Sequence, residues 1–179
     1  MSVTISSAYS AVLTADQTIM RRVHRWRAPR WLQWWMIAAT RCGDGWLWAA
    51  YAILIAIAGG PSRFEAIVAA TCAVAAGIVL FRFLKRRVGR KRPCHLEAHS
   101  WYRLLPPDQF SFPSGHSITA FAVASSFGSY YPVLLPGLLF CAISVAISRI
   151  LLGMHFLSDV LAGCALGAAL GYFSVRMLM

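Results

Sequence analysis

The sequence predicts an all-α protein, a polytopic bundle of five to six transmembrane helices with an amphipathic N-terminal helix. Hydrophobic residues make up 59% of its 179 residues, against roughly 45–50% in soluble domains. They also occur in blocks, as membrane spans do. The chain carries 17 basic and 6 acidic residues, which favours an anionic partner such as a lipid head group. Nucleic acid is not the expected partner, because much of the basic charge adjoins apolar spans and no nucleic-acid-binding motif occurs.

Residues 1–30 are predicted to form a separate amphipathic, basic segment. Its last ten residues combine arginine with tryptophan, a composition typical of a helix at the membrane interface. A solvated basic tail is the alternative that the sequence leaves open. The first 20 residues lack the basic head and apolar core of a secretory signal. The rest of the chain, residues 31–179, is predicted to form one transmembrane domain.

The transmembrane domain divides into one short apolar segment and five candidate spans. Residues 31–40 are apolar but too short to cross a bilayer, so we expect a half-buried or strongly mismatched helix that ends at the turn signal 41–45. The candidate spans then follow in order: 46–58, 64–84, 117–131, 133–152 and 156–175. Their boundaries are defined to within a few residues.

The last span has glycine at every fourth position. Gly163, Gly167 and Gly171 share one face of the predicted helix. Small residues at this spacing let two membrane helices approach closely. We therefore expect this face to pack against a neighbouring helix.

The five cysteines indicate neither a metal site nor a redox motif. They include no CxxC pair and no metal-ligand spacing. Cys42 and Cys94 lie near span ends, and a disulfide between them is left open by the sequence.

Three ionisable residues interrupt the apolar sequence between the last two spans: Arg149, His155 and Asp159. Ionisable groups at membrane depth are costly and commonly functional. His155 and Asp159 are four residues apart, so on a helix they would share a face and touch. A carboxylate there would fix the imidazole tautomer, and Arg149 would suit an oxyanion. The alternative is a His–Asp pair that merely satisfies itself inside the bundle.

The long loop 85–116 supplies two further motifs. Pro113-Ser114-Gly115-His116 stands where an apolar helix begins, so its serine can cap the helix and free N–H groups can bind an anion. An ordinary cap followed by an incidental histidine is the alternative. Lys85 and Arg92-Pro93 add cations, although a basic run can also simply follow the positive-inside rule.

The order of the spans places the motifs together. One span leaves the loop near residue 117 and the next returns toward Arg149. The loop and the segment 149–155 are therefore predicted to lie on the same side of the membrane.

Taken together, the motifs resemble the three-part signature of the type 2 phosphatidic acid phosphatase family. The matching parts, in order, are Lys85-x6-Arg92-Pro93, Pro113-Ser114-Gly115-His116 and Ser148-Arg149-x5-His155-x3-Asp159. No signature position departs from the pattern. The resemblance covers about residues 44–177.

The resemblance implies metal-independent removal of phosphate from a lipid phosphate or pyrophosphate through a phosphohistidine. It makes His155 the nucleophile, Asp159 its orienting partner and His116 the acid that protonates the leaving oxygen. The groups expected to bind phosphate oxygens are Lys85, Arg92, Ser114, Gly115 and Arg149. The residue chemistry agrees, because cations, a carboxylate-backed imidazole and a second imidazole meet the needs of phosphoryl transfer. No cofactor is expected, and no carboxylate cluster suited to Mg²⁺ is present in the sequence.

Two other functions compete with this interpretation. Vanadate-dependent haloperoxidases resemble the family in their oxyanion cradle, but they look like soluble proteins. A non-catalytic lipid-binding or transport protein is the second, although it has no need of two histidines and an aspartate together.

Substrate and location follow only from the resemblance. Phosphatidic acid, phosphatidylglycerol phosphate and undecaprenyl pyrophosphate all fit, with a slight preference for polyprenyl or small glycerolipid phosphates because the chain is short. Bacterial members suggest the inner membrane, with the site facing the periplasm or exterior. The sequence does not determine the oligomeric state.

Overall fold

The computed structural model describes residues 2–96 and 108–179. The described chain is helical, apart from one isolated bridge between Lys91 and Phe110, which confirms the predicted all-α class. The helices are α1 Ser2–Arg25, α2 Arg30–Cys42, α3 Trp46–Ala58, α4 Arg63–Val88, α5 Pro93–Leu96, α6 Gly115–Tyr130, α7 Leu135–Leu151 and α8 Leu157–Leu178. A short 3-10 helix, Pro132–Leu134, leads into α7.

Three of the described segments are long and apolar enough to cross a membrane. They are α4, the continuous segment Pro132–Leu151 and α8, and they make the chain an integral membrane protein. The apolar helix α3 has 13 residues and α6 has 16, fewer than the roughly 20 that usually span a bilayer. Helix α6 is enclosed, since it packs against α4, α7 and α8.

The glycine face of α8 packs directly on the backbone of α6. A Cβ atom added at Gly163, Gly167 or Gly171 would lie 2.7, 2.3 or 2.6 Å from a backbone oxygen of α6 or its N-cap. No side chain fits in so little space. The predicted close packing at this spacing is confirmed, and it fixes the start of α8 beside the start of α6.

The two ends of the bundle are distinct. At one end the hydroxyl of Tyr131 donates to the carbonyl of Gly59, 2.9 Å away, so the end of α6 meets the end of α3. The opposite end collects the C-termini of α4 and α7 and the N-termini of α6 and α8. All three sequence motifs lie there, as the order of the spans predicted.

The N-terminal helices pack on the outside of this bundle. Helix α2 lies against α7, and α1 contacts α8 and α7. In α2, Met36 and Thr40 are buried while Trp31 and Trp34 are exposed, so the predicted half-buried helix is confirmed. All five cysteines are free, so Cys42 and Cys94 are not bonded to each other.

Candidate active site

The segment that carries His155 is a loop between α7 and α8. Gly153 has φ +70°, a left-handed conformation that glycine adopts readily and that commonly ends a helix. The N–H groups of Met154 and His155 then both donate to the carbonyl of Arg149, each at 3.0 Å. Helix α8 starts only at Leu157, so the prediction that His155 and Asp159 share a helical face is wrong. They approach each other because the loop turns back over the start of α8.

The imidazole of His155 is buried and its tautomer is defined by an arginine. Nη1 of Arg92 donates to Nε2 of His155 at 3.0 Å. A guanidinium can only donate, so Nε2 holds the lone pair and Nδ1 carries the hydrogen. Nδ1 has no hydrogen-bond partner within the described chain and lies 3.7 Å from Oδ2 of Asp159. The carboxylate is therefore near the ring but beyond normal hydrogen-bond length.

Asp159 is completely buried in the first turn of α8. Its Oδ2 accepts the N–H of Phe156 at 2.8 Å, and its Oδ1 accepts from Nη1 of Arg90 at 2.8 Å. An acid in the first turn also suits the helix dipole. The partner of the histidine is thus held by the backbone of its own helix and by a cation from the loop after α4.

Lys85 and Arg92 meet on a single carboxylate. Lys85, in the last turn of α4, contacts Oδ2 of Asp108 at 2.7 Å, and Nη2 of Arg92 contacts Oδ1 at 2.8 Å. Although burial opposes it, hydrogen bonds from Lys85 and Arg92 lower the pKa of Asp108 below its usual value. The two predicted phosphate-binding cations therefore converge on one oxyanion group already present in the chain.

The start of α6 forms the floor of the same end. Ser114 is the N-cap, and its Oγ accepts from the N–H of Ser117 at 3.4 Å and from its hydroxyl at 2.9 Å. The N–H of Ser114 donates to the carbonyl of Asp159 at 3.1 Å. The first N–H groups of a helix have no intrahelical acceptor, so Gly115 and His116 present theirs at this end. The serine itself is fully buried and serves as the predicted cap.

His116 has a carboxylate partner that the sequence did not indicate. Its Nε2 lies 2.8 Å from Oδ1 of Asp44, in the turn between α2 and α3. A carboxylate accepts, so Nε2 carries a hydrogen here. Each of the two histidines therefore has an aspartate of its own nearby.

Arg149 is buried at the end of α7 with part of its guanidinium uncommitted. Nη1 donates to the hydroxyl of Thr40 at 2.5 Å, which ties α2 to α7. Nε is buried without a hydrogen-bond partner within the described residues. A buried N–H without an acceptor is costly, and an incoming anion would satisfy it.

The eight residues predicted from the motifs thus lie at one end of the bundle.

Burial lowers the pKa of His155 well below its usual value, and the charges of Arg149, Arg92 and Lys85 lower it further. The imidazole is therefore neutral at neutral pH, and its Nε2 lone pair accepts from Arg92.

Sequence reasoning missed most of the acidic partners. Four of the six acidic residues in the chain bind groups at this end: Asp16 with Arg90, Asp44 with His116, Asp108 with Lys85 and Arg92, and Asp159 with Arg90. Glu65 lies at the far end of α4, and Glu97 lies outside the described residues. The scarcity of acids in a basic membrane chain was the available signal, because a carboxylate beside an apolar span needs a cation.

Among the described residues, no group of three or more His, Cys, Asp or Glu is placed to hold a metal ion.

Comparison with known proteins finds a matching family model and similar phosphatases. The model of the PAP2 superfamily matches residues 65–179. Decaprenylphosphoryl-5-phosphoribose phosphatase of Mycobacterium tuberculosis is 40% identical over 124 residues, 69% of this chain and 67% of the relative. Lipid A 1-phosphatase of Rhizobium etli is 37% identical over 101 residues, 54% of this chain. The match spans 42% of the length of that relative.

A solved structure has the same fold. It is the transmembrane PAP2-type phosphatidylglycerolphosphate phosphatase of Bacillus subtilis, with a TM-score of 0.70 and 27% sequence identity. The superposition covers 93% of this chain and 85% of the other.

Proposed function

The chain belongs to the PAP2 superfamily, and from this membership we propose that it is a membrane phosphatase acting on a lipid phosphate or lipid pyrophosphate. The observation that carries the proposal is the buried, neutral His155 with its Nε2 turned to the guanidinium of Arg92. A nucleophilic lone pair beside a phosphate-binding cation is what an in-line phosphoryl transfer requires. The alternative of a non-catalytic lipid-binding protein gives the imidazole no role.

Phosphate binding would use the cations already gathered at this end. Lys85, Arg92 and Arg149 supply positive charge, and the first N–H groups of α6 supply further donors. The phosphate would take the place of the Asp108 carboxylate and of the imidazole on Arg92. That exchange uncovers Nε2 of His155, so the substrate itself would expose the nucleophile. These side chains would provide the charge stabilisation of the step.

The chemical step forms a bond from Nε2 of His155 to phosphorus and breaks the bond from phosphorus to the leaving oxygen. The imidazole becomes positively charged as its lone pair is used. Its Nδ1–H then faces Asp159, 3.7 Å away, and the carboxylate stabilises the charged ring.

His116 would complete both halves of the reaction. In the first half it gives a proton to the leaving oxygen, and in the second it takes a proton from the water that attacks phosphorus as the bond to Nε2 of His155 breaks. Its Nε2 is bonded to Asp44, so the proton that moves is the one on Nδ1. Burial and the charge of Arg149 lower the pKa of His116 to about 4, and the negative charge of a bound phosphate would raise it so that the ring carries both protons. Asp44 would hold the ring in place and stabilise its charged form.

The substrate class and location are proposed from the relatives. Their names refer to lipid A, a decaprenyl-linked sugar phosphate and phosphatidylglycerol phosphate, so an anionic phosphate on a membrane-anchored group is common to them. We assign this chain to polyprenyl or small glycerolipid phosphates. We place the protein in the bacterial inner membrane with the active site facing the periplasm or exterior.

The test is phosphate release by the purified full-length protein in detergent, with and without EDTA. The panel contains phosphatidic acid, phosphatidylglycerol phosphate and undecaprenyl pyrophosphate. We expect release from at least one lipid, unaffected by EDTA and lost in His155→Ala. Absence of release from every lipid would contradict the proposal, as would activity that disappears in EDTA and returns with Mg²⁺.

A further inference from the structure

A chain of buried charges connects the N-terminal helix α1 to the partner of the nucleophile. Nη2 of Arg90 contacts Oδ2 of Asp16 at 2.7 Å, and Nη1 contacts Oδ1 of Asp159 at 2.8 Å. The three side chains are only 10%, 5% and 0% exposed, in the order Arg90, Asp16, Asp159. A buried carboxylate and guanidinium are retained only with close partners, so this arrangement is specific.

Asp16 also fixes the backbone at the start of α8. Its Oδ1 accepts the N–H of Ser158 at 3.1 Å, and its Oδ2 accepts the hydroxyl of the same residue at 2.5 Å. Ser158 lies in the first turn of α8, where N–H groups lack intrahelical acceptors. The Asp16 carboxylate of α1 thus caps the N-terminus of α8 at Ser158, the residue before Asp159.

The guanidinium of Arg90 is held on a third side by an aromatic ring. Its Cζ lies 4.1 Å from the ring centroid of Phe156, and its Nη1 also donates to the hydroxyl of Ser158 at 2.7 Å. Both residues follow His155 closely in the chain, at the start of α8. Arg90 is therefore packed against the nucleophile segment as well as against Asp159.

The charge balance of this group depends on Asp16. Arg90 alone would neutralise Asp159, leaving little negative charge to face the imidazole when it becomes positive during attack. With Asp16 included, two carboxylates share one guanidinium and the group keeps a net charge of −1. Electrostatic stabilisation of this kind is strong in a site that excludes water.

We propose that Asp16 is a positioning residue of the active site, which acts through Arg90 and Ser158 to hold Asp159 in place and to keep it negative toward His155. The inference rests on the proposed phosphatase function. Asp16 lies outside residues 65–179, the part matched by the family model. Helix α1 is then part of the catalytic unit rather than a separate membrane-surface segment.

The test compares Asp16→Asn with a matched control in the full-length protein, using one lipid phosphate that the wild type hydrolyses. Asp16→Asn keeps the size of the side chain and removes its charge. The control is Glu65→Gln, the same change of acid to amide at the exposed far end of α4. Both variants are assayed for kcat, KM and inhibition by inorganic phosphate, alongside His155→Ala.

For Asp16→Asn we expect kcat to fall about tenfold or more, while KM and the inhibition constant of inorganic phosphate change by less than about threefold. Asp16→Glu should recover part of the lost kcat, because it restores the charge. Glu65→Gln should match the wild type. In an Arg90→Gln background, Asp16→Asn should cost little more, since the connection is already broken.

Two results would overturn the inference. One is an unchanged kcat in Asp16→Asn. The other is an equal loss of kcat and of phosphate affinity, which would mean that Asp16 only stabilises the docking of α1. If Asp16→Asn does not purify, Arg90→Lys replaces it, because one ammonium cannot bridge two carboxylates as a guanidinium does; a wild-type kcat there would also overturn the inference. If His155→Ala is inactive while Asp16→Asn is normal, only this inference fails; activity in His155→Ala instead rejects the proposed function.

Discussion

Nη1 of Arg92 lies 3.0 Å from Nε2 of His155, so the group that we propose binds phosphate covers the atom that is expected to attack phosphorus. The same guanidinium donates to Oδ1 and to the carbonyl of Asp108. In the proposed function, Arg92 would thus connect the binding of phosphate to the exposure of the nucleophile. An anion that engages Arg92 would release the imidazole at the same moment.

The first prediction concerns this dual role of Arg92. Arg92→Lys keeps the charge but loses the fork that contacts His155 and Asp108 together. We expect kcat/KM to fall about a hundredfold or more, with weaker inhibition by inorganic phosphate. The control is Lys91→Gln, since Lys91 is adjacent and exposed. Lys91→Gln should match the wild type, whereas a wild-type kcat/KM in Arg92→Lys would show that the positive charge alone is needed and not the fork.

The second prediction separates the roles of the two histidines by the leaving group. An alkoxide from a lipid monoester needs a proton as it departs, whereas an aryl oxide needs it much less. His116→Ala should therefore slow an alkyl monoester far more than an aryl phosphate, while His155→Ala abolishes both. Single-turnover rates with the two substrates provide the measurement. Equal losses for both substrates in His116→Ala would remove its role as the acid.

Asp44→Asn should also slow the alkyl monoester more than the aryl phosphate, but less strongly than His116→Ala does. Asp44→Asn cannot stabilise the charged form of His116, so the alkyl monoester should lose about tenfold in rate and the aryl phosphate less. Arg41→Gln is the control, because Arg41 is the other partner of Asp44, at 4.0 Å, and is not part of the proposed site. An Asp44→Asn enzyme that loses both activities equally would show that the pair has no role in leaving-group protonation.

The third prediction follows from the lowered pKa of His155. Burial and the nearby Arg149 and Arg92 disfavour the protonated ring. Because the pKa lies below the ordinary value of 6.5, the ring stays neutral as the pH falls through that region. With an aryl phosphate, and after correction for the ionisation of the substrate, kcat/KM should hold as the pH falls through 6.5 and decline only at lower pH. A decline in the corrected kcat/KM centred at pH 6.5 or higher would contradict the structure.

The fourth prediction tests the two ends of the bundle by cysteine labelling in a background without other cysteines. Helix α4 has 26 residues, so it is about 39 Å long. Cysteines at exposed Arg87 and at Ser62 should react with an impermeant reagent from opposite sides. Restored Cys42, which is exposed, should label with Arg87. Labelling of Arg87 and Ser62 from the same side would contradict the arrangement; Arg103, another loop position suited to this test, lies outside the described residues.

The sequence predicted those residues of the candidate site that belong to its motifs. Lys85, Arg92, His116 and Arg149 lie near helix ends, so the order of the spans was enough to bring them together. The glycines of α8 were equally predictable, because a regular spacing on a helix becomes a flat face.

The remaining contacts could not be predicted because they join distant parts of the chain. Asp16 meets Arg90 across 74 residues and Asp44 meets His116 across 72, and neither aspartate lies in a recognisable motif. The error at His155 was local. Gly153 is a helix-ending signal, and it places His155 in a loop. The spacing of four residues between His155 and Asp159 therefore does not put them on one helical face.

If His155 is the nucleophile, it becomes phosphorylated during turnover, and this phosphohistidine can be trapped. The purified protein is mixed with a lipid phosphate labelled on the transferred phosphoryl group and quenched within one turnover. In the wild type we expect protein-bound label that is lost in acid and kept in base. This label should form more slowly in Asp159→Asn and be absent in His155→Ala. Label of the same stability in His155→Ala, or product formation at the wild-type rate by that variant, would contradict the role of His155 as the nucleophile.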